Sequence, residues 1–416
     1  MKPILTIGVL ALATTAVQIG SVETASAAQT PTAAPEAAPA PRKIKVSKAA
    51  MKPIAELQAA VNANDVATIP AKLAAAQAVV TSTDEKLLVA QLQLKAAVAA
   101  NDETAQGAAI EALIASGGID QAQTPTLYAA LGKLQYKHNQ FAPAASSFER
   151  ALAIDPANTD ALILLAETRI SQGQTNVAIG LVQRAVQAKT AAGQKADESW
   201  YKRVVALAYN ANLPSAVDLS RQWVAAYPTV ANWRDALRVY RKIGNLGPSE
   251  TLDALRLARV TGALQGDTDF YAFAENAEGS SPGEARAVFD EAIAAKQLDP
   301  TKPLFRTVIA TIRTSKVLLL AELPQLATEA RAAPAAKLAV RTGDAYYGYG
   351  EYAKAADLYR AALSKSGADA NLINLHLGMA LARSGDQAGA TAALKTVAGP
   401  QAELAKFWLV YLATRT

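Results

Sequence analysis

Leu131 to Pro156 reads LGKLQYKHNQFAPAASSFERALAIDP. Leucines and a glycine recur at helical spacing, a polar turn follows at His138-Asn139-Gln140, and a second helical run closes on Asp155-Pro156. The second run sets small residues among larger ones, with Ala144, Phe148 and Ala151 at spacings of about one turn. Alanine has the best helix propensity and lets helix axes approach closely. Proline cannot continue a helix and so ends the second run. The stretch therefore reads as two helices made to pack on one another.

The same alanine-centred helix recurs. PAASSFERAL, NVAIGLVQRAV, PSAVDLSRQWV, GEARAVFDEAI, YAKAADLYRAAL and QAGATAALKTV align on Ala144, Ala178, Ala216, Ala285, Ala355 and Ala390. Their spacings are 34, 38, 69, 70 and 35 residues. Each long gap is nearly twice a short one, so each should hold one degenerate unit. Those units centre near ETLDALRLARVTGAL and LLLAELPQLATEARAA. A chain of 416 residues with 51% hydrophobic but only 6% aromatic residues fits such stacking, and no series of alternating strand-like runs interrupts it. The fold class is all-α.

A helix–turn–helix period of about 34 residues resembles the tetratricopeptide repeat. From Pro125, Tyr128, Leu131, Gly132, Ala144, Phe148, Ala151 and Pro156 stand at the family's repeat positions 4, 7, 8, 20, 24, 27 and 32 in turn. The units from Thr159, Ala336 and Asn371 repeat the pattern, with Gly343, Tyr346, Gly350, Tyr352, Ala355, Tyr359 and Ala362 in the unit from Ala336. The resemblance implies small residues at positions 8 and 20 where the two helices cross, and a large residue at 24 filling the space between units. A single unit cannot cover its own apolar face, so the units must stack. The expected architecture is an α-α superhelix, a solenoid of about nine helix pairs with a C-terminal capping helix at 404–416. Clear units fall near 125–158, 159–192, 197–230, 336–369 and 371–403 within a solenoid spanning 119–403. Upstream, 51–118 reads as degenerate helical hairpins, with Ala-Asn-Asp at 63–65 and 100–102 marking turns.

Lys2 precedes an apolar run from Ile4 to Ile19, and Ala25-Ser26-Ala27 supplies a small-residue cleavage site. Residues 1–27 therefore read as a secretory signal peptide, and the run is shorter than the ~20 residues a membrane span needs. Export to the periplasm is expected, with secretion as second choice. Residues 28–50 form an Ala/Pro-rich linker that cannot bury enough apolar surface to fold. Arg42, Lys43, Lys45 and Lys48 oppose one acid there, Glu36. This basic end, 42–48, offers weak contact with anionic envelope components such as glycan or lipid headgroups. The whole chain carries +5, so the body is nearly balanced and lacks the concentrated positive charge of a nucleic-acid binder.

Catalytic chemistry has little to work with. The chain has no cysteine and only two histidines, His138 in a turn and His376 beside the core position Leu377. No phosphate-binding glycine loop and no H-E-x-x-H motif occurs. A non-enzymatic protein without cofactor or metal is expected. The family resemblance implies instead a concave groove lined by first helices, for a protein or peptide partner. Mapping its positions gives Lys133, Tyr136, Lys137, Ile163, Glu167, Ile170, Tyr201, Val205, Tyr209, Tyr347, Met379 and Arg383. The lysine–asparagine clamp of chaperone-binding members is absent, since the corresponding positions hold Ala129, Lys133, Leu164, Glu198 and Lys202. An envelope-polymer module using the basic linker or the groove is the alternative reading.

Overall fold

In tetratricopeptide-like pairs the chain must reverse within a few residues after each first helix. In the structure, a computed structural model describing residues 45–278, 280–315, 318 and 320–415, one device performs that reversal. Asn64, Asn101, Asn139, Asn212 and Asn245 all adopt left-handed backbone, with φ between 47° and 58°. They follow α1 (Lys48–Asn62), α3 (Thr83–Ala99), α5 (Thr124–Lys137), α9 (Glu198–Asn210) and α11 (Val230–Ile243). Asparagine is among the few residues with a side chain that visit this conformation routinely. Gly173 and Gly350 do the same after α7 (Thr159–Ser171) and α17 (Ala336–Gly348). The two Ala-Asn-Asp turns expected at 63–65 and 100–102 are thus helix-ending left-handed turns.

Two compact units result, one ending at Asn139 and the other beginning at Gln140. The division falls inside the repeat read at 125–158. The first unit holds α1, α2 (Ile69–Gln77), α3, α4 (Glu103–Ala115) and α5, each packed on its neighbour in sequence. Its first helix begins at Lys48, three residues before the expected edge of the linker. The described end of the basic segment, from Lys45, is anchored there: the Lys45 amide donates to Asp84 at 3.3 Å and the Ser47 amide to Glu85 at 2.8 Å. Glu85 is buried and also accepts from the amides of Thr81 and Ser82 at 2.9 and 3.1 Å. Those backbone donors hold its carboxyl far below the usual carboxylate range. The signal segment 1–27 and the linker up to residue 44 lie outside the described residues.

The second unit runs through α6 (Phe141–Ile154), α7, α8 (Thr175–Ala191), α9, α10 (Ser215–Ala226), α11 and α12 (Pro248–Val260). It continues with α13 (Gly266–Ala277), α14 (Pro282–Ala294), α15 (Pro303–Thr314), α16 (Leu323–Ala332) and α17. Last come α18 (Tyr352–Leu363), α19 (Ala370–Ser384), α20 (Gln387–Lys395) and α21 (Ala402–Thr414). Among the described residues there is no strand, only an isolated bridge between Ala335 and Ser366. The repeat alanines Ala144, Ala178, Ala216, Ala285, Ala355 and Ala390 are all fully buried. A Cβ added to Gly343 would stand 2.8 Å from Tyr359 Cε1, and one on Gly378 2.5 Å from Leu394 Cγ. The large residue at position 24 therefore covers the glycine of its own pair. Tyr359 also reaches the next unit, edge-on to His376 at 5.6 Å. One residue type fills both spaces, where the sequence pointed only to the space between units.

Regular order weakens between α13 and α16, where α14 packs on α13 and α15 but also on α17. The end of the chain then departs from a plain stack. The last helix covers α19 and α20 as a capping helix does, and it also lies against α10 and α12. A single continuous apolar core consequently runs from Val217 on α10 to Leu412 on α21.

Candidate functional site

The return of the chain onto α12 changes what the expected groove residues face. On α19, the positions from Leu375 to Ala382 are all buried, because α18, α20, α21 and the side chains of α12 surround that helix. Met379 is buried there and is no groove residue in this structure. Tyr347 on α17 is buried too, beneath the Arg256 guanidinium at 5.1 Å and edge-on to Tyr352 at 5.1 Å. Burial pushes its phenol up. Arg383 is half-buried and donates to the Tyr352 hydroxyl at 2.6 Å. Tyr201 and Val205 on α9 are likewise buried, Tyr201 edge-on to Tyr227 at 6.0 Å. Repeat position fixes only the helix face and not what returns to cover it, so Tyr201, Val205, Tyr347 and Met379 do not reach the expected groove surface.

The remaining positions stay accessible. In the first unit, Lys133 and Lys137 are exposed and Tyr136 is half-buried. Lys137 pairs with Glu103, whose other oxygen lies 3.5 Å from His138 at the end of α5. In the second unit, Ile163, Glu167 and Ile170 follow one another along a face of α7, all half-buried. Arg203 of α9 donates to both Glu167 oxygens at 3.2 and 3.0 Å. Tyr209, one turn before the Asn212 reversal, is also half-buried. The ion pair links the Glu167 row of α7 to Arg203 of α9, with Tyr209 farther along that helix.

Deeper in the second unit lies a group of charges that the sequence reading did not assemble. Arg256 donates to Glu284 of α14 from Nη2 at 2.6 Å and from Nε at 3.0 Å, and to Asp253 at 2.7 Å. His376 of α19 meets the other Asp253 oxygen through Nε2 at 3.1 Å. Its Nδ1 stands 3.1 Å from Asp344 of α17 but out of hydrogen-bonding alignment, so that contact is one of charge. Tyr359 donates to the same Asp344 oxygen at 2.7 Å. Signs alternate along the chain Asp344, His376, Asp253, Arg256, Glu284. Burial alone would discharge His376, but the carboxylates of Asp253 and Asp344 outweigh it and hold its pKa up at about 10. Burial likewise opposes ionisation of Asp253, and His376 with Arg256 overcomes it and keeps the carboxyl below its ordinary range. An imidazole kept protonated in this way cannot serve as a general base near neutral pH.

The sequence did carry a signal for this cluster. Asp253 and Arg256 interrupt Leu252–Ala258, a run too apolar to be a solvated face, and every residue of that run is buried. A cavity of about 620 Å³ opens beside the chain of charges, lined among others by Glu275, Glu278, Glu284, Arg341, Asp344 and Tyr349. Among the described residues no group of three or more His, Cys, Asp or Glu could hold a metal ion. No helix there is long and apolar enough to cross a membrane.

Comparison with known proteins gives one family match: a model described as tetratricopeptide repeat fits residues 135–195. No curated protein matches the sequence. Among solved structures, the chain is similar to a tetratricopeptide repeat protein from Parabacteroides merdae at 13% identity and a TM-score of 0.28. That likeness covers 72% of this chain and 98% of the other. It is also similar to the C-terminal part of a TPR repeat-containing protein from Cytophaga hutchinsonii at 11% identity and a TM-score of 0.27. There, 76% of this chain and 96% of the other are covered. The apo form of RapI is 13% identical with a TM-score of 0.23, covering 85% of this chain and 76% of its own.

Proposed function

Because the chain carries tetratricopeptide repeats, we propose that it is a non-catalytic scaffold that binds a protein or peptide partner along the α7–α9 face. The observation that carries this reading is the Glu167–Arg203 pair, which links two first helices beside the half-buried Ile163 and Ile170 of α7, with the half-buried Tyr209 farther along α9. Apolar side chains flanking a polar pair make a surface on which an extended or helical segment gains energy from a few large contacts.

The proposed setting is the cell envelope. It rests on the sequence Ala25-Ser26-Ala27 after a short apolar run. Crosslinking in intact cells, followed by mass spectrometry, tests both parts. Ile163→Asp together with Tyr209→Ala should reduce partner recovery at least tenfold with thermal unfolding unchanged, whereas changes at Glu149 and Arg184 should leave recovery intact. Equal recovery from all variants would remove the site from this face. A mature N-terminus at Ala28 is expected from the same cells, and an intact Met1 on most of the protein would remove the envelope from the proposal.

A further inference from the structure

The seat of α21 is built by helices far upstream. The helix lies against α10 and α12, and Phe407 packs against Trp233 and Tyr240 of α11 with ring centroids 6.2 and 5.7 Å away. Leu404, Phe407 and Trp408 are buried at one-turn spacing. This is how an amphipathic helix lies in a groove, reading out as anchors at i, i+3 and i+4.

Its polar fit is poorer than its apolar fit. Arg221 Nε of α10 stands 4.0 Å from Glu403 Oε2. Both atoms are buried, as are the Tyr240 hydroxyl and the Trp408 indole N–H, and none of the four has a hydrogen-bond partner among the described residues. Burying a donor or acceptor without a partner forfeits its hydration, and that loss returns when the helix leaves. The contrast with the hydrogen-bonded charges around Arg256 is plain.

We propose that this seat is a docking site for an amphipathic helix of a partner protein, with an aromatic anchor in the place of Phe407 and a carboxylate one turn before it facing Arg221, and that α21 fills it in the free chain. The site is distinct from the α7–α9 face, so either reading can fail without the other. A helix whose polar groups reach Arg221 and Tyr240 would displace α21, because it would keep the aromatic contacts and add the missing hydrogen bonds.

Hydrogen exchange on the unaltered chain is the first test. Amides of α21 should exchange at least tenfold faster than those of α19, and equal protection would overturn the proposal. The second test uses a fluorescein-labelled peptide of residues 402–415 and the full chain carrying Phe407→Asp. The peptide should bind this variant at least tenfold more tightly than the unaltered chain. Adding Trp233→Ala to the variant should abolish binding, and a Glu403→Gln peptide should bind at least threefold more weakly. Equal binding to variant and unaltered chain would overturn the proposal. So would loss of cooperative unfolding in Phe407→Asp, which would make α21 an inseparable part of the core. Concentration-dependent dimerisation of the unaltered chain through this seat would overturn it too, by assigning the seat to a second copy.

Discussion

Glu85 and Glu284 occupy the same local position and meet different fates. Each is the third residue of a helix and follows a serine cap, in Ser82-Thr83-Asp84-Glu85 and Ser281-Pro282-Gly283-Glu284. Both stretches are capping-box sequences. In the first unit the box forms, Ser82 and Glu85 exchanging hydrogen bonds across the start of α3. In the second unit it does not, since the Ser281 side chain caps nothing and instead accepts from Arg256 at 3.2 Å. Glu284 is drawn to the same guanidinium. Local sequence proposes the cap, and a cation from a helix 28 residues earlier overrules it. The backbone amides around Glu85 secure one helix start, whereas the side chains around Glu284 join helices remote from one another.

The sharpest way to break this comparison is to remove the cation. Arg256→Met leaves Glu284 buried without its partner and Asp253 with His376 alone, which should cost about 3–5 kcal/mol. All four tryptophans, Trp200, Trp223, Trp233 and Trp408, lie in the second unit, so denaturant unfolding followed by their fluorescence reports that loss directly. Adding Glu284→Gln should restore part of it. A loss below about 1 kcal/mol would mean that the charges do not hold these helices.

Glu85→Ala should cost less, about 2–3 kcal/mol, by depriving three backbone amides of a charged acceptor. Its effect should stay in the first unit: the amides of Ser47, Thr81 and Ser82 lose protection while tryptophan-detected unfolding stays put. A shift in the tryptophan signal would contradict the local character of this acid.

A third effect separates the units by pH. His376 has a folded pKa raised to about 10 from an ordinary value near 6.5. Its contribution is therefore complete below about pH 6.5 and fades as pH rises toward 10. The slope is at most about 1.4 kcal/mol per pH unit for one proton. Glu85 is depressed instead, so its contribution is present above the ordinary glutamate range and fades only in acid. Between pH 7 and 9.5 the tryptophan-detected midpoint should fall while protection at Ser47 and Ser82 holds steady. Asp253 and Asp344, also depressed, weaken the second unit in acid as well, so the alkaline limb belongs to His376. His376→Gln should flatten it.

The comparison also explains what could be read in advance. Helices, turns and crossing residues depend on neighbours within one repeat, and Asn64, Asn101, Ala178 and Gly343 announce themselves by residue type and spacing. Tyr209 and Ile163 remain half-buried. Tyr347 and Met379 do not reach the surface, because their cover is supplied by α12, α18, α20 and α21, and no period in the sequence encodes which helix returns to which. Asp253 and Arg256 were visible as charges in an apolar run, but their partners Glu284, Asp344 and His376 lie on three other helices.

One consequence follows for how such a chain can change over generations. Open repeat arrays lengthen and shorten by whole units, since each unit touches only its neighbours. Here Asp253 meets His376 across 123 residues, and Phe407 meets Trp233. Duplicating or deleting one unit between them would carry each residue a full repeat away from its counterpart. The number of units from α12 to α19 is therefore locked, while the stretch from α6 to α9 retains the freedom to gain or lose a pair.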